Sequence, residues 1–210
     1  TNRALEYHTD SVDIVGLLCL QTAKAGGASY LASSMTVFNE VLRRRPDLVP
    51  ALFDPFPTDR RGEVPEGMEP WFDIPIYHSH AGRLSCIYVR QYIESAQKQF
   101  PQARRLTRAQ IEAMDLMDAL CNDPEVHLAM DFRPGDVQLL HNHQILHARG
   151  DFENWPEPER HRHLLRLWLS PPEARPLPEI FAPRYGSIVP GDRGGIVVKG
   201  TTLRVPLEAE

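Results

Sequence analysis

The chain has 210 residues, a formal net charge of −5, and 42 % hydrophobic against 24 % charged residues, the balance of a globular domain with a core and not of a disordered chain. The acidic balance leaves no basic footprint for nucleic acid, and no run of about eighteen apolar residues is available to span a membrane. Nineteen prolines beside thirteen glycines speak for long ordered loops over a helical bundle, and three scattered cysteines, Cys19, Cys86 and Cys121, read as reduced thiols of a cytoplasmic protein.

A chain seldom opens at its active site, yet His8-Thr9-Asp10 stands almost at the first residue, so an upstream segment is expected before Thr1. Residues 12–20, β-branched and apolar, read as a buried strand. Gly26-Gly27 marks a turn before a second strand, Ser29–Ser33. Residues 35–45 carry helical spacing with Val37, Phe38, Val41 and Leu42 on one face, and Pro46 ends or restarts the helix. Residues 54–75, rich in Pro, Gly, Asp and Arg, read as a long surface loop. Residues 83–89 alternate like a strand and 90–98 read as a short helix. Thr107 and Gln110 form a capping box that opens a helix to about Leu120, with Ile111, Met114, Leu116, Met117 and Leu120 as its apolar face.

The chain then returns to strands at Val137–Leu140, after the turn Pro134-Gly135-Asp136, and at Leu164–Leu169, ended by Pro171-Pro172. The tail from 174 is proline-rich, with a possible strand at Gly195–Lys199. Residues 1–210 thus read as one α+β domain. It has a His-x-Asp strand at the start, a helical insertion over about 35–125, core strands over 126–170 and a tail over 171–210.

Nine histidines are the unusual count. His8 and Asp10, at i and i+2 on a strand or its end, point to the same side and can take two adjacent positions on a metal. His147 is the best third ligand. Two histidines and a carboxylate make the facial triad of non-haem Fe(II) oxygenases, which leaves open positions for a co-reactant. If that co-reactant is 2-oxoglutarate, its distal carboxylate needs a cation. Arg166, nineteen residues after His147 on an apolar strand, supplies a planar fork that matches a carboxylate. Ser29 can add a hydroxyl. Each element alone is unspecific; their combination and order are not.

The chain resembles the taurine dioxygenase/TfdA-like family of Fe(II)- and 2-oxoglutarate-dependent oxygenases. The resemblance rests on Tyr7 through Asp10, Gly26-Gly27-Ala28-Ser29, Phe132 through Asp136, Asn142 through Arg149, and His163 through Leu169. It implies iron held by His8, Asp10 and His147, and the distal carboxylate of 2-oxoglutarate held by Arg166 and Ser29. It implies Arg162 as a second arginine near the co-reactant, and O2 as the oxidant. It also implies a double-stranded β-helix (jelly roll, cupin-like) with helices packed outside. The expected activity is hydroxylation or desaturation of an unactivated C–H of a small molecule, with release of succinate and CO2; because the carboxylate of Asp10 is present, halogenation is disfavoured. Homo-oligomers are common among relatives.

Two rival readings are a metal-dependent cupin-like hydrolase or isomerase, which has no need of Arg166, and a non-catalytic jelly-roll binding protein. Among the other residues, His80 could shape a substrate cavity, while Tyr88, Arg90 and Tyr92 face substrate or, equally, form core and surface. His78 reads as pocket-lining or surface and His143 as structural. His161 and His163 read as solvent-facing, Arg43 to Arg45 as a solvated helix end, and Trp155 as part of a loop over the metal site.

Overall fold

A computed structural model describes residues 2–195. The elements follow in chain order. β1 (Leu5–His8), β2 (Ile14–Gln21), β3 (Ala25–Gly26) and β4 (Ser29–Ser33) come first. Next are α1 (Ser34–Arg44) and α2 (Val49–Leu52), then two hairpins, β5 (Phe56–Asp59) with β6 (Trp71–Ile74) and β7 (Tyr77–His80) with β8 (Arg83–Cys86). α3 (Arg90–Gln99) and α4 (Arg108–Cys121) complete the insertion. β9 (His127–Met130), β10 (Val137–His141), β11 (Ile145–Arg149), β12 (Phe152–Glu153), β13 (His163–Leu169) and the one-turn α5 (Ala182–Tyr185) close the described chain.

Two antiparallel sheets form the core, one in the order β1-β11-β4-β9 and the other β10-β2-β13. This is the double-stranded β-helix. Period-2 alternation decides which side chains meet. Along β11 and β4, Ile145 and Leu31 turn toward the second sheet and pack with Val15, Leu17, Leu140 and Trp168. Leu146 and Ala32 turn the other way, into the larger core with Val37, Val41, Met114 and Met117 of the helices. His147 pairs with Leu31 and with His8, so both imidazoles share the face turned to the second sheet.

Local signals hold well. The Thr107–Gln110 capping box is formed reciprocally, and Ser33 caps α1. Gly26 and Gly27 have φ of +71° and +82°, and a Cβ on Gly26 would lie 2.4 Å from the Asp151 carbonyl oxygen, so that turn needs glycine. Three expectations are corrected. Residues 54–75 are not all loop, because β5 and β6 form a hairpin whose Phe72 and Ile74 are buried under α5 by Phe181 and Tyr185. Leu42 and Ile111 are exposed, since Ser34 and Gln110, both buried, take the inner positions of α1 and α4 in their stead. The tail from 174 folds back in short helical turns. The strand expected at Gly195–Lys199 lies, beyond Gly195, outside the described residues.

Candidate metal centre

His8 ends β1 directly opposite His147 on β11, and the two ring centroids are 4.2 Å apart. Asp10 follows in the turn to β2. That turn is pinned by the buried Asn142, whose amide oxygen accepts from Asp10 N at 2.8 Å. Its amide nitrogen donates to the Asp10 and Val12 carbonyls at 2.7 Å each. Thr9 adds a two-way link to Tyr88: its N–H donates to the Tyr88 carbonyl at 2.8 Å, and its hydroxyl accepts from Tyr88 N at 2.9 Å. The carboxylate is thereby held with Oδ1 3.8 Å from His8 Nε2 and Oδ2 3.7 Å from His147 Nε2. All three side chains are only 10–12 % exposed.

These separations are too long for hydrogen bonds. They are shorter than twice a metal–ligand bond of about 2.1 Å, so a shared ion can reach the carboxylate and either imidazole. The three groups form the one cluster of metal-capable side chains among the described residues. The protonation states also fit. His8 Nδ1 lies 2.9 Å from the Glu6 carbonyl, which fixes its proton there and leaves Nε2 free to ligate. Burial, with help from His8 and Arg166, holds His147 well below the ordinary imidazole pKa and so keeps it neutral. Its Nδ1 is buried without a partner among the described residues, and its Nε2 is the nitrogen turned to the Asp10 carboxylate.

Trp168 on β13 donates its indole N–H to Asp10 Oδ2 at 3.0 Å. Arg166, two residues earlier on the same face, brings Nη1 to 3.5 Å from the same oxygen. The Arg166 side chain is 53 % exposed, because that face opens onto a cavity of about 360 Å³ that Arg166 helps to line. Phe72, Ile74 and Ile87 give this cavity an apolar wall, and Arg90, Arg166 and Arg184 stand in its lining with the His8–Asp10 pair. Tyr92 also lines it, whereas Tyr88 is core. Arg90 is held in a fan by Glu94, Asp115 and Asp118.

Arg162 lies deeper than Arg166. Its guanidinium packs beside Gly27, where a Cβ would approach Nε to 3.2 Å, and 5.2 Å from the Phe152 ring. Burial and the neighbouring Arg149 both lower its pKa, and it has no carboxylate partner among the described residues. Ser29, two residues after Gly27, is buried at the start of β4.

Several expectations change. His80 is exposed and outside the cavity lining, while His78 is the buried member of its pair, edge-on to Phe181 at 4.6 Å. Trp155 is covered by Arg160, 3.7 Å from the ring, and does not line the cavity. His161 and His163 are half-buried, not solvent-facing. His143 is structural: its Nε2 lies 2.8 Å from the buried Asp13 carboxylate. The sequence reading missed Asp13, Trp168 and Arg184. A signal existed for the first, an acid inside an apolar strand.

Comparison with known proteins agrees with this geometry. The sequence profile of the taurine catabolism dioxygenase TauD, TfdA family matches residues 1–168. The chain belongs to the TauD/TfdA family. This TauD-family chain is 34 % identical over 185 residues to FR-33289 synthase of Streptomyces rubellomurinus, covering 85 % of this chain and 53 % of that protein. It is 33 % identical over 178 residues to the taurine hydroxylase-like protein SAT17 of Stachybotrys chartarum, covering 80 % and 45 %. It spans about half the length of these curated relatives. Its fold matches asparagine oxygenase, solved with Fe(II), 3-hydroxyasparagine and succinate, at a TM-score of 0.60 and 18 % identity over 80 % of this chain and 50 % of that one. It also matches the non-heme iron oxygenase OrfP at 0.58 and 13 % identity, over 80 % and 51 %. No helix among the described residues is long and apolar enough to cross a membrane.

Proposed function

We propose that the protein is an Fe(II)- and 2-oxoglutarate-dependent oxygenase that hydroxylates or desaturates an unactivated C–H bond of a small molecule. The observation that carries this reading is the convergence of His8, Asp10 and His147, one ligand atom of each lying within 4.8 Å of the others across gaps too long for hydrogen bonds. His8, Asp10 and His147 would hold the iron. Bound Fe(II) would supply the coupling of O2 reduction to oxidative decarboxylation of 2-oxoglutarate, giving succinate and CO2.

The residues of this chain do the rest. The Glu6 carbonyl and the Trp168 indole orient two of the ligands. The half-buried Arg162, beside Gly27 and with Ser29 near it in the chain, is the cation best suited to the distal carboxylate of 2-oxoglutarate, since a partly desolvated guanidinium without a carboxylate partner among the described residues gains from a bidentate anion. Arg166 lines the open cavity 3.5 Å from the Asp10 carboxylate and extends the positive field over the residues that would hold the metal. The apolar wall of Phe72, Ile74 and Ile87 excludes water from the substrate carbon. Relatives and neighbours named as a taurine hydroxylase-like protein and an asparagine oxygenase support a small-molecule substrate. Three buried free thiols suit a reducing cytoplasm.

The test is Fe(II)-dependent succinate formation from 2-oxoglutarate, screened against small-molecule acids and amino acids. Succinate output that rises with one compound supports the reading. Turnover with zinc and without 2-oxoglutarate would favour the hydrolase alternative and overturn it.

A further inference from the structure

Building on the iron reading, we infer that Arg193, carried on the segment after β13, is a positioning residue for the Asp10 carboxylate. It acts through Asp13. That residue stands three positions after Asp10 and is 3 % exposed. Its carboxylate accepts from Arg193 Nη2 at 2.7 Å and Arg193 Nε at 3.0 Å, with His143 Nε2 at 2.8 Å and Ser170 Oγ at 2.9 Å completing the set. A two-point guanidinium grip fixes direction as well as distance.

Arg193 is itself immobilised. Its side chain is fully buried, and its other N–H groups donate to the Ile188 carbonyl at 2.8 Å and to the Arg175 carbonyl. The neighbouring backbone grips the same turn. Gly195 N donates to the Ser11 carbonyl at 2.7 Å, and Arg184 Nε donates to the Ser11 hydroxyl at 2.7 Å. Gly194, at φ +85°, passes so close that a Cβ would lie 3.0 Å from Ser11 O and 3.1 Å from Val12 Cα. Residues 11, 12 and 13 are therefore clamped from outside by the tail, while Asn142 holds residues 10 and 12 from inside. Asp10, the carboxylate of the metal-capable cluster, sits at the end of that doubly held turn. The clamp lies beyond residue 168, where the family profile stops matching.

A purely structural strap would alter melting temperature and leave the ion affinity of folded molecules alone. A positioning strap alters that affinity. The experiment is a Co(II) titration of the full chain, followed by the visible d–d spectrum, alongside metal-free thermal melts. Wild type is compared with Arg193→Met, Arg193→Lys and Ser170→Ala. We expect about a tenfold weaker Co(II) dissociation constant in Arg193→Met, the size typical of lost support behind a metal ligand, and a changed band shape. Arg193→Lys, which keeps the charge and loses the fork, should fall between it and wild type, and Ser170→Ala should shift affinity least. Should Arg193→Met not fold, the other two variants decide. Affinities within twofold of wild type, with only the melting temperature lowered, would overturn the inference. Wild type that binds no Co(II) would sink the iron reading first.

Discussion

Two clusters of the same residue types lie one turn apart. His8, Asp10 and His147 face each other across gaps of 3.7–3.8 Å with no hydrogen bond between them. Asp13 and His143, three and four residues away in sequence from Asp10 and His147, close on each other at 2.8 Å, and Arg193 seals them. In the second cluster every carboxylate oxygen is satisfied from within the chain. Burial alone would raise the Asp13 pKa, yet the hydrogen bonds from His143 and Arg193 outweigh it and hold it at about 2. Residue identity therefore does not separate a ligand set from a buried ion pair; whether the protein supplies the remaining donors does.

The sharpest way to break the comparison is to delete one residue from each cluster. Asp10→Ala or His147→Ala should reduce succinate formation to that of free Fe(II) in buffer while the metal-free melting temperature stays near wild type. Asp13→Ala should do the opposite first, lowering unfolding free energy by about 3–5 kcal/mol in denaturant titrations, because Arg193 and His143 are left buried without their anion. Equal stability losses at both sites would show that the first cluster is also a closed structural pair.

His78 is a third case, a histidine with neither an ion gap nor an anion. Both ring nitrogens are buried without partners among the described residues, and burial, with a smaller push from His143, lowers its pKa from 6.5 to about 4. The folded chain refuses this proton until about pH 4, whereas the unfolded chain takes it near 6.5. Acidification across that window therefore favours unfolding, by up to roughly 3 kcal/mol, and the loss levels off below it. Asp13 acts lower: its depressed pKa means its contribution disappears only as pH falls toward about 2. His78→Leu should flatten the stability profile between pH 6.5 and 4 relative to wild type; parallel profiles would refute the assignment.

A smaller effect separates the two arginines. Arg162→Met should raise the 2-oxoglutarate KM by about tenfold or more, the worth of one charge-assisted pair, with a lesser change for Arg166→Met, whose side chain is half in solvent. The reverse order would return the distal carboxylate to Arg166.

Much of this was readable in the residues alone. His8 and Asp10 are two apart in sequence and so stay neighbours at the end of β1, although the turn held by Asn142 and not strand parity sets Asp10; the capping box and the Gly26-Gly27 turn are equally local signals. What stayed hidden depends on partners far away in sequence. The burial of Phe72 and Ile74 comes from the tail's Phe181 and Tyr185, so a proline- and arginine-rich stretch concealed a hairpin. Arg193 is 180 residues from Asp13, and no spacing rule links them. The exposure of Arg166 followed from the cavity at that end of the sheet, which an apolar strand pattern does not announce.

The finest distinction between the clusters is Trp168, the one indole that touches the open site. Its Nε1–H donates to Asp10 Oδ2, the oxygen nearer to both His147 and Arg166, so it biases which oxygen stays available to a metal. Trp168→Phe keeps most of the ring against Val15 and Leu140 and removes that donor. The loss is one hydrogen bond to a charged group, about 1.5 kcal/mol and therefore roughly tenfold at most in metal affinity, and less where Arg166 moves in to replace the donor. A Trp168→Phe, Arg166→Met double-mutant cycle measures that replacement. If the double variant loses more than the sum of the two single losses, the indole and the guanidinium substitute for each other on one oxygen; strict additivity would mean that they act on the carboxylate independently.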